Sequence, residues 1–518
     1  MLVKTFASAV QGIDAQPIIV EVNTGGSVAA SQSFYNLVGL PDKAVTEGFQ
    51  RIEAAFANTG YKMMRIKTVV NLAPANIRKE GSSYDLPIAL GILAATNQIN
   101  SEKIGDYVTM GELALDGKLR PIKGALPIAI QARKDGYKGI LVPKENAMEA
   151  AIVDNLEVYG IQSLVEAAEF IDGQRELKPT EIDTRELFAE EINYFSVDFS
   201  EVKGQENIKR SLEIAAAGGH NVILIGPPGA GKTMLAKRLP GILPPLSLHE
   251  ALEVTKIHSV AGVLNSSSGL VSSRPFRSPH HTISDVALVG GGSNPNPGEI
   301  SLAHNGVLFL DELPEFKRTV LEVMRQPMEE RRVTISRARI SVDFPASFML
   351  VASMNPCPCG YFNHPEKDCV CGPAIVKRYL NKISGPLLDR IDLHVEVTPV
   401  SYDEISQRST EAETSKDIRE RVIAAREIQA ERFKEVPGVY CNAQMPSKLV
   451  KEVCELNGAC LALLKKAMER LQLSARAYDR ILKVARTAAD LSRSQNIGVE
   501  HLAEAIQFRS LDRENWGG

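Results

Sequence analysis

The segment 226–233 has the residue types and spacing of a phosphate-binding loop. It reads GPPGAGKT and matches the pattern G-x-x-x-x-G-K-[ST]. An apolar run at 221–225 predicts a strand before it and residues 234–239 predict a helix after it, so a chance glycine-rich turn is the weaker explanation. Glycines let backbone N–H groups converge on phosphate oxygens, and the helix adds the positive end of its dipole. The residues predicted to hold the nucleotide are Gly226, Pro227, Pro228, Gly229, Ala230, Gly231, Lys232 and Thr233.

Two of these side chains, together with a pair of acids farther along, have the chemistry of nucleotide hydrolysis. Lys232 can neutralise the β and γ phosphates, and Thr233 can ligate Mg²⁺. The run GVLFLDE at 306–312 predicts a buried strand that ends in Asp311 and Glu312. Asp311 would hold Mg²⁺ through water, and Glu312 would polarise the attacking water. Alone, such a run would more often be an ordinary strand that ends in acids, but its position after a phosphate loop favours catalysis.

Two further polar residues follow or precede predicted strands. The apolar run at 348–352 ends near Asn355, whose amide can orient the lytic water beside the γ phosphate. Arg390 lies on the turn before a strand predicted at 393–397. An arginine there could reach the γ phosphate of a neighbouring subunit, and a surface salt bridge with Asp389 or Asp392 is the alternative.

Four of the seven cysteines form a compact pattern. Cys357, Cys359, Cys369 and Cys371 make C-x-C-x9-C-x-C, with His364 between the two pairs. Four thiolates in so short a segment suit tetrahedral Zn²⁺, although C-x-x-C is the commoner spacing. Zinc and a set of reduced cysteines in a surface loop both remain open. The other three, Cys441, Cys454 and Cys460, are expected to be packing residues.

The elements that must position these residues fall into three regions. A chain of 518 residues is too long for one core. Residues 1–175 mix strands, including 17–22 and 66–72, with helices such as 86–97, and the acidic segment 176–198 resembles a linker. Residues 199–400 alternate strands and helices, which is typical of a parallel α/β sheet. Residues 401–518 show helical periodicity, as at 462–473 and 477–492.

Bulk composition adds weaker constraints. The net charge of −4 gives no support for a basic surface over the whole molecule, although it does not exclude a local basic patch. The first residues lack the features of a signal peptide, and we find no run of 18 apolar residues. With an odd number of cysteines, these features predict a protein of the reducing cytoplasm.

Longer motifs around these residues resemble a known family. They are SPHHTIS at 278–284, PGEISLAHNGVLFLDELP at 297–314 and MNPCPCG at 354–360. This part of the chain resembles AAA+ ATPases of the magnesium-chelatase type, and the whole chain resembles the ComM/YifB family among them. The resemblance implies an AAA+ P-loop parallel sheet with a helical lid, after an α+β Lon-protease-like domain of the ribosomal S5 domain 2 type.

The same resemblance assigns roles and an assembly. It places Asn355 at sensor 1, Arg390 at the arginine finger and Arg476, in LSARAYDR at 473–480, at sensor 2 of the lid. Such proteins work as rings, usually hexamers, because each finger completes a neighbour's site. The family also carries two insertions that face the pore in ring translocases. They correspond to 259–299, with Gly290, Gly291 and Gly292, and to a hairpin at 333–343.

The hairpin region concentrates four arginines, Arg331, Arg332, Arg337 and Arg339. Arginine pairs well with phosphate, so these residues are the best candidates for gripping DNA in an otherwise acidic chain. A solvated charged hairpin without a ligand is equally consistent with the residues themselves, and the resemblance favours DNA.

The N-terminal region resembles the proteolytic domain of Lon. The similar segments are KEGSSY at 79–84, GELALDG at 111–117 and RPIKG at 120–124. Lon uses a serine–lysine dyad, and Ser83 falls at the serine position. Leu126 stands where the lysine should be, and Lys123 is three residues early. Because a nucleophilic serine needs a base within reach, we expect a scaffold rather than a protease.

The sequence therefore predicts an ATP- and Mg²⁺-dependent ring motor that acts on DNA, as a branch-migration helicase or translocase in recombination or natural transformation. Three alternatives remain: a chelatase motor that inserts Mg²⁺ into a porphyrin, an ATP-dependent protease, and an ATPase that remodels protein partners. The Lon-like domain argues against the first, and Leu126 argues against the second.

Overall fold

The computed structural model describes residues 1–27, 34–184, 188, 197–264, 269–292, 295–337, 340–362, 364, 366–400, 413–471 and 473–509. The first part of the chain forms a seven-stranded mixed sheet with the order β3-β4-β2-β1-β5-β8-β9. Its strands, with a small pair β6–β7 beside it, are β1 Leu2–Gln11, β2 Asp14–Ser27, β3 Tyr35–Val38, β4 Ile66–Ala73, β5 Tyr107–Thr109, β6 Glu112–Leu113, β7 Leu119–Arg120, β8 Gly139–Pro143 and β9 Glu157–Ile161. Its helices are α1 Lys43–Thr59, α2 Asp85–Ala95, α3 Ala125–Lys134, α4 Ala147–Ala150 and α5 Leu164–Ile171.

The sequence pattern explains this first sheet. β1 pairs antiparallel along its whole length with residues 14–23 of β2, through a turn at Gly12. From Thr68 onward, β4 alternates between buried and half-buried residues. Every residue of α2 is buried, which matches its continuous apolar sequence. The strands predicted at 17–22 and 66–72 are confirmed. The helix predicted at 86–97 ends at Ala95, because Asn97 adopts a positive φ of 54°.

A second sheet is entirely parallel and has the order β11-β14-β17-β10-β18. Its strands are β10 Val222–Ile225, β11 Phe276–Arg277, β14 Val307–Leu310, β17 Met349–Met354 and β18 Leu393–Glu396, and two short hairpins, β12 Gly290–Gly291 with β13 Asn296–Pro297 and β15 Arg332–Arg337 with β16 Ile340–Pro345, project from it. The predicted α/β sheet with its strands is confirmed. The accompanying helices are α6 Glu206–Gly218, α7 Lys232–Arg238, α8 Leu248–Ala261, α9 Asp285–Val289, α10 Glu299–Leu302, α11 Arg318–Val323, α12 Arg325–Glu330, α13 Pro373–Leu380 and α14 Gly385–Leu388.

The last part of the chain is helical, as predicted. The helices are α15 Ser415–Arg432, α16 Ser447–Val453, α17 Gly458–Leu471, α18 Ala475–Leu491 and α19 Val499–Gln507. The apolar faces of α15 and α18 share one hydrophobic core with α6 and β10. This helical lid therefore packs directly on the sheet that carries the phosphate loop. Among the described residues, each helix is too short or too polar to traverse a lipid bilayer.

The N-terminal sheet and the second sheet are in contact through α8. Leu246, Ala251 and Leu270 belong to the hydrophobic core of the N-terminal sheet, although they follow the phosphate loop in sequence. The backbone N–H of Gly124, just before α3, donates to the carbonyl of Ser259 in α8 at 3.0 Å. Residues 246–270 therefore link the two sheets. The linker predicted at 176–198 lies partly outside the described residues, at 185–187 and 189–196, and the backbone N–H of Thr180 donates to the carbonyl of Val158 in β9.

Candidate active site

The phosphate-binding segment 226–233 joins the carboxyl end of β10 to the first turn of α7. The four residues of β10 are fully buried between β17 and β18. Gly229 and Gly231 have φ values of +80° and +86°, a region that favours glycine. Since Gly231 directly precedes α7, the loop amides and the positive end of the helix dipole share one location. An anion of the size of a phosphate group suits this location.

The Lys232 ammonium is buried inside this loop. Its Nζ donates to the carbonyls of Gly226 at 2.7 Å and Pro227 at 2.9 Å, and to Oδ1 of Asn355 at 3.2 Å. Burial lowers the pKa of Lys232, and the nearby carboxylates of Asp311 and Glu312 oppose this shift. The amide of Asn355 thus contacts the lysine predicted to neutralise the phosphates.

The carboxylate of Asp311 is held from three sides. Thr233 Oγ1 donates to its Oδ2 at 2.9 Å, and the hydroxyl of Ser353 and the backbone N–H of Glu312 donate to its Oδ1. Strands β14 and β17 are adjacent and pair Leu310 with Ala352, which brings the next residues, Asp311 and Ser353, together. Sequence reasoning missed Ser353. The only signal for it was a hydroxyl within an otherwise apolar strand.

Glu312 has a backbone conformation that L residues seldom adopt, with φ of +53°. Its side chain is 57% exposed, and Nδ1 of His281 lies 3.7 Å from its Oε2. A carboxylate at the carboxyl end of β14, open to solvent and beside Lys232, can contact a water molecule near the γ phosphate. His281 stands in the motif at 278–284, to which sequence reasoning gave no separate role.

Gln205 is a further residue of the loop that sequence reasoning missed. Its Nε2 donates to the carbonyl of Ala230 in the phosphate loop and to that of Thr398 after β18, both at 3.0 Å. Its φ is +59°, directly before α6. Gln205 therefore ties the phosphate loop to the neighbouring strand. The signal that could have found it is Gly204-Gln205 immediately before α6.

Arg390 and Arg476 lie away from the phosphate loop of their own chain. The side chain of Arg390 bonds to the carbonyl of Pro386 at 2.5 Å and pairs with Glu329. Arg476 is 68% exposed and pairs with Asp389 at 2.9 Å. The predicted alternative for Arg390, a salt bridge with Asp389 or Asp392, is not what the structure has, because Asp389 pairs with Arg476 and Asp392 with Arg480.

The four cysteines of the C-x-C pattern are brought together. Cys357 Sγ lies 3.2 Å from Cys359 Sγ and 3.7 Å from Cys369 Sγ, and the last two sulfurs are 3.6 Å apart. All four sulfurs, with that of Cys371, lie within 4.8 Å of one another. His364 takes no part, since its Nδ1 accepts from the backbone amides at 366 and 367. The other three cysteines are buried, as expected for packing residues.

The predicted hairpin is formed by β15 and β16. The arginines in and near it differ in their contacts and in their exposure to solvent. Arg331, before the hairpin, donates to the carbonyl of Gly438 at 2.7 Å and is therefore engaged with the lid. Arg332 is 57% exposed, with Glu330 and Asp343 as its ionic partners. Arg337 is exposed and its Nη2 reaches the glycine segment at Gly291. Arg339 lies outside the described residues.

The N-terminal positions compared with Lon make the following contacts. Leu126 is fully buried in the core of the first sheet, on α3. The aliphatic stem of Lys123 packs at Gly262, after α8. The backbone carbonyl of Ser83 accepts from Gly111 at 2.8 Å. The scaffold role expected for this region stays a prediction.

Comparisons with known proteins agree with these features. The family profile described as magnesium chelatase, subunit ChlI, matches residues 198–405. The profile for subunit ChlI of Mg-chelatase matches residues 20–146, and that for the ChlI C-terminal region matches residues 412–509. The three matches cover the first sheet, the second sheet and the lid in turn.

Individual relatives extend over the full length. The competence protein ComM of Haemophilus influenzae is 42% identical over 98% of this chain and 97% of its own length. YifB of Escherichia coli, itself uncharacterized, is 44% identical over 98% of this chain and 96% of its own. The magnesium-chelatase 38 kDa subunit of Rhodobacter capsulatus is 24% identical over 30% of this chain and 50% of its own.

Proposed function

Because the chain belongs to the ComM/YifB family of magnesium-chelatase-like AAA+ ATPases, we propose that it is a ring-forming motor that hydrolyses ATP to act on DNA. Its proposed units are a Lon-like scaffold over residues 1–175, a linker over 176–198, an AAA+ core over 199–400 and a lid over 401–518. The name of the Haemophilus relative supports a role in competence, such as branch migration during natural transformation.

The observation that carries the proposal is the separation of the catalytic residues along β10. The phosphate loop follows the carboxyl end of β10, whereas Asn221, at the amino end, donates through its Nδ2 to the carbonyl of Arg390 at 3.0 Å. Four strand residues lie between these ends, a distance of roughly 13 Å. Arg390 therefore cannot complete the site of its own chain, and Arg476 lies beside it through Asp389. This separation supports the proposal that both arginines act on the γ phosphate of a neighbour in a ring, in the proposed case a hexamer.

Within one site, the residues have separate tasks. Lys232 exchanges its bonds to two backbone carbonyls for bonds to phosphate oxygens, which costs little because both states satisfy the ammonium. Glu312 polarises the attacking water and Asn355 orients it. The oxygens of Thr233 and Asp311, 2.9 Å apart, are the donor type that Mg²⁺ prefers, and Mg²⁺ when bound neutralises charge on the phosphates.

The hairpin supports DNA as the substrate. The carboxyl end of β15 and the glycine segment form one surface, since Arg337 reaches Gly291 and Ile335 packs at Gly290. An exposed guanidinium can bind a phosphate group of a DNA backbone through two parallel hydrogen bonds. Of the described arginines in and near the hairpin, Arg337 is the proposed DNA contact, because Arg331 is engaged with the lid and Arg332 pairs with Glu330 and Asp343.

A chelatase motor is the second candidate. The family profiles carry that description, but the chelatase subunit of Rhodobacter aligns with less than a third of this chain, whereas ComM aligns with nearly all of it. A motor with the architecture of ComM therefore explains more of the molecule.

The test compares ATP hydrolysis by the full chain without DNA, with single-stranded DNA and with a branched DNA junction. We expect DNA to stimulate hydrolysis, and Arg337→Ala to weaken DNA binding and to reduce the slope of log affinity against log salt by about one. Arg470→Ala, an exposed arginine on α17 of the lid, is the matched control and should behave as wild type. The proposal would be contradicted if the chain bound no DNA and if neither single-stranded nor branched DNA changed the rate of ATP hydrolysis. Insertion of Mg²⁺ into a porphyrin would favour the chelatase.

A further inference from the structure

Four cysteine sulfurs, on Cys357, Cys359, Cys369 and Cys371, converge next to the phosphate loop; they are called the thiol cluster below. We propose that the thiol cluster binds one zinc ion as four thiolates, and that this ion fastens the loop 357–371 against the phosphate loop. The metal site stands on the geometry of the sulfurs alone. The proposed effect of the zinc ion on ATP binding rests on the proposed function.

The distances between the sulfurs fit a single tetrahedral ion. Zinc binds thiolate sulfur at about 2.3 Å, so four sulfurs around one ion lie about 3.8 Å from one another. The measured separations are 3.2, 3.6 and 3.7 Å, with all pairs under 4.8 Å. A disulfide would require about 2.05 Å. Iron–sulfur clusters spread their thiolates over several irons, which a set this compact does not suit.

Packing does not explain why the four thiols gather. Cys454 and Cys460 are buried and belong to the apolar core of the lid, the usual place for a reduced cysteine. In contrast, Cys359, Cys369 and Cys371 are only partly buried and lie in a loop between β17 and α13. A ligand shared by the sulfurs accounts for their convergence.

The loop itself is shaped to return its second C-x-C pair to the first. Gly360 turns the chain with φ of +86° directly after Cys359. At the far end, Nδ1 of His364 accepts from the backbone amides of Glu366 and Lys367, both at 3.0 Å. His364 therefore stabilises the turn and is not a ligand. The donor set consists of sulfur only, which favours zinc over Mg²⁺ or Ca²⁺.

The thiol cluster is connected to the ATP site at two points. Cys357 is the second residue after Asn355, whose Oδ1 contacts Lys232 Nζ at 3.2 Å. Gly360 lies so close to the phosphate loop that a Cβ on it would be 2.5 Å from Cδ of Pro228. An ion that fixes both Cys357 and Cys359 therefore fixes the sensor amide and supports the phosphate loop from one side.

Metal analysis of the purified full chain tests the site. We expect one zinc ion per chain in the wild type, and about a tenfold loss in Cys369→Ser and in Cys371→Ser. Cys460→Ser changes a buried lid cysteine, whose Sγ contacts the carbonyl of Ile497, and should keep its zinc. Wild-type protein from zinc-supplemented cells that contains less than stoichiometric zinc, or iron instead, overturns the site. So does equal zinc in wild type and in both cluster variants.

A second pair of variants tests the link to ATP. Cys371→Ser should lose zinc and bind a fluorescent ATP analogue about tenfold more weakly, whereas Gly360→Ala should keep zinc and still bind ATP weakly, because its Cβ displaces Pro228. Wild-type ATP affinity in a zinc-free Cys371→Ser protein overturns the link. If the wild type does not hydrolyse ATP at all, the proposed function fails, while the zinc content still decides the metal site.

Discussion

At the level of single residues, the carboxylate of Asp311 has the most closely specified surroundings in the site. The hydroxyls of Thr233 and Ser353 and the backbone N–H of Glu312 all donate to it. Thr233 and Asp311 are the proposed ligands of Mg²⁺, directly or through water. The hydroxyl of Ser353 donates to Oδ1 of Asp311 and thereby holds the orientation of the carboxylate. Such supporting hydrogen bonds typically affect metal affinity or activity about 10- to 100-fold.

We therefore predict that Ser353→Ala raises the Mg²⁺ concentration needed for half-maximal ATP hydrolysis about tenfold. The measurement is a Mg²⁺ titration of ATPase activity at saturating ATP. Ser492→Ala, at the end of α18, removes a hydroxyl that bonds only to the carbonyl of Ala488 in its own helix and is the matched control. An unchanged Mg²⁺ dependence would show that Asp311 is oriented without Ser353.

Lys232 gives a second prediction at this scale. Its ammonium faces two carbonyls and the Asn355 amide, so its removal leaves the β and γ phosphates without their proposed cation. Lys232→Ala should lower ATP hydrolysis by about 100-fold or more. Lys237→Ala changes an exposed lysine on the same helix and should retain activity. The measurement is the rate of phosphate release by both variants. A rate near that of the wild type in Lys232→Ala would contradict a role of the phosphate loop in ATP hydrolysis.

At the level of elements, a buried polar network joins the lid to the strand that carries the phosphate loop. Asp392, at the start of β18, is fully buried and bonds to Arg480 of α18 at 2.7 Å and to His220 before β10 at 3.2 Å. Burial alone would raise the pKa of Asp392, but Arg480 and His220 outweigh it and hold the pKa well below its usual range. Burial lowers the pKa of His220, so this ring stays neutral, and Arg480 carries the balancing charge.

Because Arg480 balances a buried carboxylate, Arg480→Ala should cost about 3 to 5 kcal/mol of unfolding free energy. Urea unfolding at neutral pH, followed by circular dichroism, measures the loss. Arg480→Lys keeps the charge and should recover part of it, whereas Arg470→Ala on the surface of α17 should change it by less than about 0.5 kcal/mol. A neutral effect of Arg480→Ala would mean that His220 and the backbone N–H of Asn221 stabilise Asp392 without Arg480.

At the level of the whole molecule, the two sheets are linked although they follow one another in sequence. Residues 246–270 leave the phosphate-loop sheet and bury Leu246, Ala251 and Leu270 in the core of the N-terminal sheet. The turn at Gly12 also meets the hairpin, since a Cβ on Gly12 would lie 2.7 Å from Val342 Cγ1. The N-terminal sheet therefore contacts the second part of the chain at the hairpin as well as through residues 246–264.

The proposed ring gives the last prediction. If Arg390 acts on a neighbour's ATP, Arg390→Ala and Lys232→Ala should each be inactive alone, yet a mixture should recover activity. In an equal mixture, about a quarter of the interfaces join an intact phosphate loop to an intact arginine. ATP hydrolysis of mixtures at several ratios measures this, and a mixture of either variant with itself is the control. If the two variant chains assemble together and the mixture stays inactive, Arg390 does not act on the ATP of a neighbouring chain.

The sequence by itself determined the parts that are contiguous along the chain. The phosphate loop, its flanking strand and helix, Asp311 and Glu312 were all predicted, because local spacing fixes which backbone groups and side chains follow a strand end. The parallel sheet and the helical lid were also predicted, since alternating apolar runs and helical periodicity are local signals. These elements carry most of the candidate site.

Only the tertiary structure decided which distant residues meet. Ser353 and Gln205 join the site through strand register and a backbone turn, which no single motif encodes. The position of Arg390 and Arg476 at the amino end of β10, together at Asp389, depends on how the lid packs on the sheet. Likewise, the C-x-C spacing did not distinguish between a zinc site and a set of reduced cysteines. The fold of the loop is what brings the four sulfurs within 4.8 Å of one another. Spacing along a chain limits which residues can be neighbours, but contacts between distant segments depend on the packing of whole elements.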